Sequence, residues 1–321
     1  MNSSFNTPIL FLVFNRPDTT QRVFDQIKKI QPTHLFIAAD GPRQSVSADK
    51  ERCAEVKKII SDIDWPCEIK TLFRTKNLGC KIAVSQAISW FFKNVESGII
   101  LEDDCLPDIS FFKYCEELLG LYIDNPKIMH IGGNNFQNGI TRGDGSYYFS
   151  LYGHIWGWAT WRRAWQYYDP NINTLPNFIK SNKIKKIFKN WAARDFWMMR
   201  FKEVHNNKID TWDYQWEFTI LSMDGCAITP NTNLVTNIGT GAGTHVSKGG
   251  DSTNATPVET ISHSIILPLT HPCTIKINTE ADDYTFRNTF FNESLKNKIT
   301  RTFLHLVPTQ IKHTLKEWIR K

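Results

Sequence analysis

The chain has 321 residues, 41% of them hydrophobic and 22% charged, which leaves ample material for a core and excludes a disordered or fibrous protein. Its net charge of +6 is matched by residues 294–321 alone, where seven Lys or Arg stand against Glu317. The rest is close to neutral, which argues against a nucleic-acid-binding surface across the fold. Seven cysteines, without a CxxC pair, give no sign of a zinc site and imply reduced thiols in a cytoplasmic protein.

MNSSFNTPILFLVF has no basic n-region, and its apolar run ends at Asn15, Arg16 and Pro17. It reads as a first strand over residues 7–15 rather than as a signal peptide. Residues 19–30 carry Val23, Phe24, Ile27 and Ile30 at helical spacing, with Pro17 suited to a first turn. HLFIAAD is a second strand ending at Asp40, and a helix follows over 48–63. CEIKTLF is a third strand, 81–94 a third helix, and SGIILEDD a fourth strand. This alternation predicts an α/β fold, Rossmann-like, with a mostly parallel central sheet flanked by helices. Ligands in such sheets gather outside the carboxyl ends of the strands, where this chain places Asn15-Arg16, Asp40 and Glu102-Asp103-Asp104.

Further along, residues 109–126 read as an amphipathic helix and KIMHIGG as a short strand. GDGSYYFSLYGHIWGWATWRRAW is dense in aromatics, glycine and arginine. Residues 171–209 look helical and basic, and TWDYQWEFTILSMDG is a further helix with acids in its first turn. AITPNTNLVTNIGTGAGTHVS returns to strand and then to a glycine-rich loop, and ISHSIILPL reads as a last short strand. The expected organisation is a nucleotide-binding half (1–130), an acceptor-side half of the same domain (131–250) and a C-terminal extension (251–321). The tail mixes its cations with Phe303, Leu304, Ile311, Leu315 and Trp318, the composition of a basic amphipathic segment for an anionic membrane surface or of a docked helix.

Three adjacent ionised acids in a dry site would cost several kcal/mol, so Glu102, Asp103 and Asp104 need water or a cation. They either cap the next helix, since acids favour helix N-termini, or hold a divalent cation shared with a diphosphate. Mg²⁺ and Mn²⁺ take hard oxygen ligands, and one or two carboxylates plus substrate phosphates suffice.

Residues 7–246 resemble glycosyltransferases of the GT-A nucleotide-diphospho-sugar fold, most of all the N-acetylglucosaminyltransferase I group and its bacterial relatives. The resemblance rests on PILFLVFNRP, FIAADG, IILEDDCLPDISFFKYCEELL, GHIWGWATWRRAW and WDYQWEFTILSMDGCAITPNTNLVTNIG, in that order. It implies an inverting, metal-dependent transfer of N-acetylglucosamine or a related hexose from a UDP-sugar to a glycan acceptor in surface polysaccharide, lipopolysaccharide or glycoprotein synthesis. Asp104 would be the direct ligand of Mn²⁺ or Mg²⁺. Glu102 and Asp103 would contact the ribose and donor sugar, Asn15 and Arg16 would lie near the nucleotide, and Asp40 would meet the uracil edge. The GHIWGWATWRRAW segment would enter the acceptor side. Asp213 would be the general base. The family has two adjacent acids after its tryptophan, whereas this chain reads Asp213-Tyr214-Gln215, which leaves Glu217 as the alternative base.

The glycine-rich loop 237–245 does not fit a GxxxxGK[ST] pattern. It is either a lid whose His245 reaches a phosphate or the metal, or an ordinary connection. Trp156, Trp158, Trp161 and Trp165 are either a sugar-stacking wall or, more cheaply, core. A sugar nucleotidyltransferase would want a glycine-rich basic loop after the first strand, where this chain has NRPDTTQR. A non-catalytic carbohydrate-binding protein on the same fold is the other rival. With no apolar run long enough to span a bilayer, the expected location is the cytoplasm, peripheral to the inner membrane.

Overall fold

The computed structural model describes residues 4–239 and 261–290. Strands β1 (Ile9–Val13), β2 (His34–Ala39), β3 (Glu68–Phe73) and β4 (Ser97–Glu102) run parallel, joined through helices α1 (Pro17–Ile30), α2 (Ala48–Ile60) and α3 (Gly79–Asn94). Helix α1 opens with Pro17 and Asp18 and closes with Lys28 and Lys29, each charge on the favourable end of the helix dipole.

After β4 the chain turns at Asp103 and Asp104 into β5 (Cys105–Pro107) and then α4 (Ile109–Leu121). Next come β6 (Ile128–Gly132), β7 (Tyr147–Ser150), β8 (Trp158–Trp161) and α5 (Arg162–Trp165). Helices α6 (Leu175–Lys180), α7 (Lys183–Ile187), α8 (Trp191–His205) and α9 (Asp213–Ser222) follow. The chain then forms β9 (Cys226–Pro230), β10 (Val235–Asn237) and α10 (Thr279–Thr285).

Eight of these strands form one sheet in the order β3-β2-β1-β4-β8-β6-β9-β7, with only β7 and β8 running against the rest. Alternate residues of β1 serve opposite faces, as the pleat requires. Ile9, Phe11 and Val13 join a core with α1, α2 and α4, while Leu10 and Leu12 join one with α3, α5 and α9. The expected mostly parallel sheet between helical layers is therefore the observed one.

The chain winds from β1 outward to β2 and β3, then returns to place β4 on the other side of β1. Such a reversal opens a crevice beyond the carboxyl ends of the two inner strands. The segments on those ends are Phe14-Asn15-Arg16 and Glu102-Asp103-Asp104.

Two expectations fail on the C-terminal segments, while the tryptophans follow the cheaper core reading. The second part of GHIWGWATWRRAW is β8, a central strand between β4 and β6. Trp158, Trp161 and Trp165 are buried, and only Trp156 is partly exposed. The residues 261–269 form no strand: His263 and Ile265 donate their amides to Asn233 O and Ser110 Oγ instead, and Pro268 has no amide for a ladder. Finally, α10 lies in a stretch where no helix is expected, with Asn278 capping it through Ala281 N–H.

Candidate functional site

The turn after β4 sends Asp103 and Asp104 toward the residue that ends the β1–α1 connection. Arg16 forks between them, with Nη2 2.6 Å from Asp103 Oδ1 and Nη1 2.7 Å from Asp104 Oδ2. The second oxygen of Asp103 accepts the Phe14 amide at 3.1 Å. Asp103 is thereby buried with both oxygens occupied, and burial still pushes its carboxyl up to about 6 despite the guanidinium. Arg16 keeps its charge: burial opposes it, but Asp103 and Asp104 together hold its pKa above the ordinary arginine value. The cation that the triplet needs is therefore present as an arginine.

The helix-cap alternative for the triplet does not apply. The ribbon of β5 and β10 intervenes, and Asp108 caps α4 instead, accepting Ser110 N–H at 2.8 Å. The ribbon brings the start of the glycine-rich segment onto the acids. Ile238 donates its amide to Asp104 O at 2.8 Å, and a side chain at Gly239 would overlap the Asp104 carboxylate. His245 lies outside the described residues.

Glu102, at the end of β4, receives no donor among the described residues. Burial, Asp104 and Asp103 raise its pKa, in that order, and Asp213 adds to the same field. Cys80, in the first turn of α3, feels Glu102, Asp213, Asp210 and Asp40 as neighbouring charges. Acids from three stretches of the chain, the ends of β2 and β4 and the segment 210–213, thus bear on the start of α3.

Asp213 reaches this point because α9 is pinned behind it. Trp216 Nε1–H donates to His130 Nδ1 at 3.1 Å, and Trp212 stacks on Trp158 at 5.8 Å. Burial lowers His130 to about 3, so its ring is neutral and its Nε2–H donates to His154 O. Asp213 Oδ1 accepts the Tyr214 amide at 2.9 Å and the Thr211 hydroxyl; Oδ2 has no partner among the described residues.

Glu217 sits one turn further along α9 and differs in every respect. It is 4% exposed, and its Oε2 accepts the Gly153 amide at 2.9 Å. Its Oε1 is buried without a partner among the described residues, and burial pushes its carboxyl up to about 8.

Two residues expected at the nucleotide are engaged elsewhere. Asn15 is buried and donates to Asp49 Oδ1 at 2.7 Å, and Arg43 clasps the same carboxylate through Nε (2.6 Å) and Nη2 (2.9 Å). Asp40 accepts the amides of Gly41, Leu78 and Gly79 and the side-chain amide of Asn77, so it ties the start of α3 to the end of β2. The structure brings Arg16, Asp103 and Asp104 into contact and Glu102 and Asp213 into one field. It ties Asn15 to Asp49 and Asp40 to the start of α3.

Sequence reasoning missed Asp49, Gly239 and Cys80. Asp49 reads as an ordinary first-turn helix acid, and nothing local foretells that Asn15 and Arg43 converge on it. Gly239 had a signal, being the first glycine after an apolar strand leading into a glycine-rich run, but the approach to Asp104 depends on the β5–β10 pairing.

Among the described residues no group of three His, Cys, Asp or Glu side chains is arranged to hold a metal. The acids at the turn offer hard oxygens of the kind Mg²⁺ and Mn²⁺ take, but Arg16 Nη1 stands 2.7 Å from Asp104 Oδ2 and Nη2 2.6 Å from Asp103 Oδ1. No described helix is long and apolar enough to cross a membrane.

No protein-family model and no curated protein matches the chain. Among solved structures it is similar to HddC from Yersinia pseudotuberculosis, at 10% identity and a TM-score of 0.31, over 54% of this chain and 86% of that one. It is also similar to 4-diphosphocytidyl-2C-methyl-D-erythritol synthase from Anaerococcus prevotii, at 7% identity and a TM-score of 0.36, over 69% and 87%. A third is mouse xyloside xylosyltransferase 1, at 13% identity and a TM-score of 0.32, over 67% and 81%. At these scores the likeness bears on no residue and no activity.

Proposed function

We propose that the protein is an inverting glycosyltransferase that moves a hexose, N-acetylglucosamine or a close relative, from a UDP-sugar to a glycan acceptor. The observation that carries this reading is the arrangement at the strand reversal. An acidic triplet and an arginine meet there beyond the carboxyl ends of β1 and β4, with Asp213 projecting into the same field from α9.

Each part has work to do in such a reaction. The leaving group is a diphosphate, and Arg16 is the cation at hand to bind its oxygens. Asp104, the more exposed of the paired acids, would hold Mn²⁺ or Mg²⁺, which when bound neutralises charge gathering on the diphosphate. Asp213 has an oxygen without a partner among the described residues, as a group receiving a proton from an acceptor hydroxyl requires. A single displacement inverts the anomeric carbon and needs no side-chain nucleophile. Asp40 and Asn15 set the walls of the crevice from behind. A nucleotidyltransferase is less well supported, because Phe14-Asn15-Arg16 alone join β1 to α1, with no room there for a glycine-rich phosphate loop.

The test is release of UDP from a panel of UDP-hexoses in the presence of Mn²⁺, with and without a glycan acceptor. Turnover with one of them, abolished by Asp104→Ala in a folded protein, is the expected result. Absence of binding to every UDP-sugar would refute the reading. We also propose that the segment 294–321 holds the enzyme at the inner face of a membrane carrying the acceptor. Deleting it should weaken binding to anionic vesicles, and unchanged binding excludes that role.

A further inference from the structure

We propose that the outer face of helices α6 to α8 is a docking surface for an anionic lipid bilayer, distinct from the basic tail and adjoining it. The inference goes beyond the reading of the crevice and holds whatever sugar the crevice transfers.

The near-neutrality of residues 1–293 is an average over segregated charge. Between Lys180 and Lys208 nine Lys or Arg stand against Asp195 and Glu203, a surplus of seven that the remainder of residues 1–293 cancels. Lys183 is paired with Asp224 and Arg200 with Glu203, at 2.7 Å each, and the other seven cations make no ion pair among the described residues.

The fold turns these cations outward together. Phe178, Ile184, Phe188, Phe196 and Phe201 enter one shared core, which leaves Lys180, Lys185, Lys186 and Lys189 exposed. On α8, Trp191, Arg194, Met198 and Lys202 stand at the i, i+3, i+7 and i+11 spacing of a single helix face, with Asp195 the one acid among them. Trp191 is 50% exposed, and Ile179, beside Lys180, is 39% exposed. Apolar side chains set among cations suit a bilayer interface, where the indole lies at the headgroup level and the ammonium groups meet lipid phosphates. A nucleic-acid backbone would engage the cations and leave Ile179 in water.

The start of the tail selects a membrane, rather than the tail itself, as the occupant. Phe290, the last described residue, packs on Phe196 and Trp197 of α8, with ring centroids 5.7 and 5.3 Å apart. Chain length alone keeps Ser294 within about 14 Å of Phe290. The segment 294–321, with its seven cations, therefore begins close to a helix that is itself cationic. Like charges oppose docking of one on the other, whereas a sheet of anionic headgroups attracts both sets at once.

The test is co-sedimentation of the full chain with vesicles of mixed phosphatidylcholine and phosphatidylglycerol, with phosphatidylcholine alone as the blank. The wild type should bind the anionic vesicles and release them as salt rises. Lys185→Gln, Lys186→Gln and Lys189→Gln together should weaken binding at least about tenfold, since each cation near such a surface contributes about fivefold. Lys50→Gln, Lys58→Gln and Lys93→Gln together change the net charge equally at exposed positions on α2 and α3, and should leave affinity nearly unchanged. Equal loss in the two triple variants, or no loss in the first, overturns the proposal. Tighter binding of the wild type to duplex DNA than to the vesicles, at equal phosphate, overturns it as well.

A single exposed substitution gives a second reading. Trp191→Ser should reduce the binding that persists in high salt, where the cations contribute little, and unchanged binding there means that this face does not enter a bilayer. Every variant keeps residues 294–321, so these outcomes stand apart from the result of deleting the tail.

Discussion

Asp213 and Glu217 stand one helical turn apart on α9, yet only Asp213 shares the field of Glu102 at the strand reversal, while Glu217 turns inward to the Gly153 amide. Helical spacing explains why either acid fits a sequence pattern. Burial separates them, because a carboxyl pushed up to about 8 is mostly protonated near neutrality and cannot take up a proton. Asp213→Asn should therefore lower kcat about 10²–10⁴-fold while UDP binding persists. Glu217→Gln should leave kcat within a few-fold. The opposite pattern in a steady-state transfer assay would move the base to Glu217.

Glu217 does have a measurable effect, on stability. It is raised to about 8, mainly by burial, and Asp282, which accepts Ser150 Oγ–H and the Leu151 amide, is raised to about 7 for the same reason. For an acid whose folded pKa is raised, the native state binds more protons than the unfolded chain between the two pKa values. Stability is thus greatest below the unfolded pKa and declines as pH rises toward the folded one. Each group contributes at most about 1.4 kcal/mol per pH unit of decline, from about pH 4.5 to 8 for Glu217 and about pH 4 to 7 for Asp282. Urea midpoints across that range should fall with pH in the wild type and fall less steeply in Glu217→Gln. Equal slopes would mean that Glu217 is ionised in the folded protein.

The alternation of apolar strands with amphipathic helices was enough to read the parallel half of the sheet. β1 to β4 and α1 to α3 lie within a few residues of expectation, since each carries its own periodicity. The second half was less legible. β8 is a four-residue strand whose partners β4 and β6 are set by tertiary packing, and β5 pairs with β10 across more than a hundred residues. The site shows the same division. The meeting of Arg16 with Asp103 and Asp104 follows from two strand ends being neighbours, which the βα pattern implies. The engagement of Asn15 by Asp49, and of Asp40 by the start of α3, depends on loop paths that no local spacing encodes.

Asp49 offers a test of one such engagement. Arg43 holds its carboxyl down to about 2, with Asn15 adding a hydrogen bond, and the Arg43 guanidinium lies 5.4 Å from the Phe14 ring centroid. Asp49→Ala would leave Asn15 buried without its acceptor and free the loop carrying Arg43. A loss of about 2 kcal/mol is expected, modest because the arginine is partly exposed. Here the folded pKa is depressed, so the stabilisation is present above the ordinary aspartate pKa of about 4 and lost as pH falls toward 2. Acid unfolding should show the two proteins converging in that window. UDP affinity should also drop, because Phe14 loses its neighbour and its amide is the one that fixes Asp103.

Gly239 is the most economical probe of the crevice. A Cβ there would overlap the Asp104 carboxylate and lie 2.9 Å from Arg16 Nη1, while the residue's own amide is held by Asn237 Oδ1 at 2.9 Å. The backbone cannot easily retreat, since Ile238 N–H is bonded to Asp104 O. The collision must therefore be relieved by the ion pair. Gly239→Ala should displace Asp104 from Arg16 and weaken UDP binding by about tenfold or more, the equivalent of 1.4 kcal/mol. Its thermal stability should change far less than that of Asp103→Ala, which strands the buried end of Arg16 and the Phe14 amide. Calorimetric titration with UDP gives the first quantity and a melting curve the second. Unaltered UDP affinity in Gly239→Ala would detach the Arg16–Asp104 pair from the nucleotide site altogether.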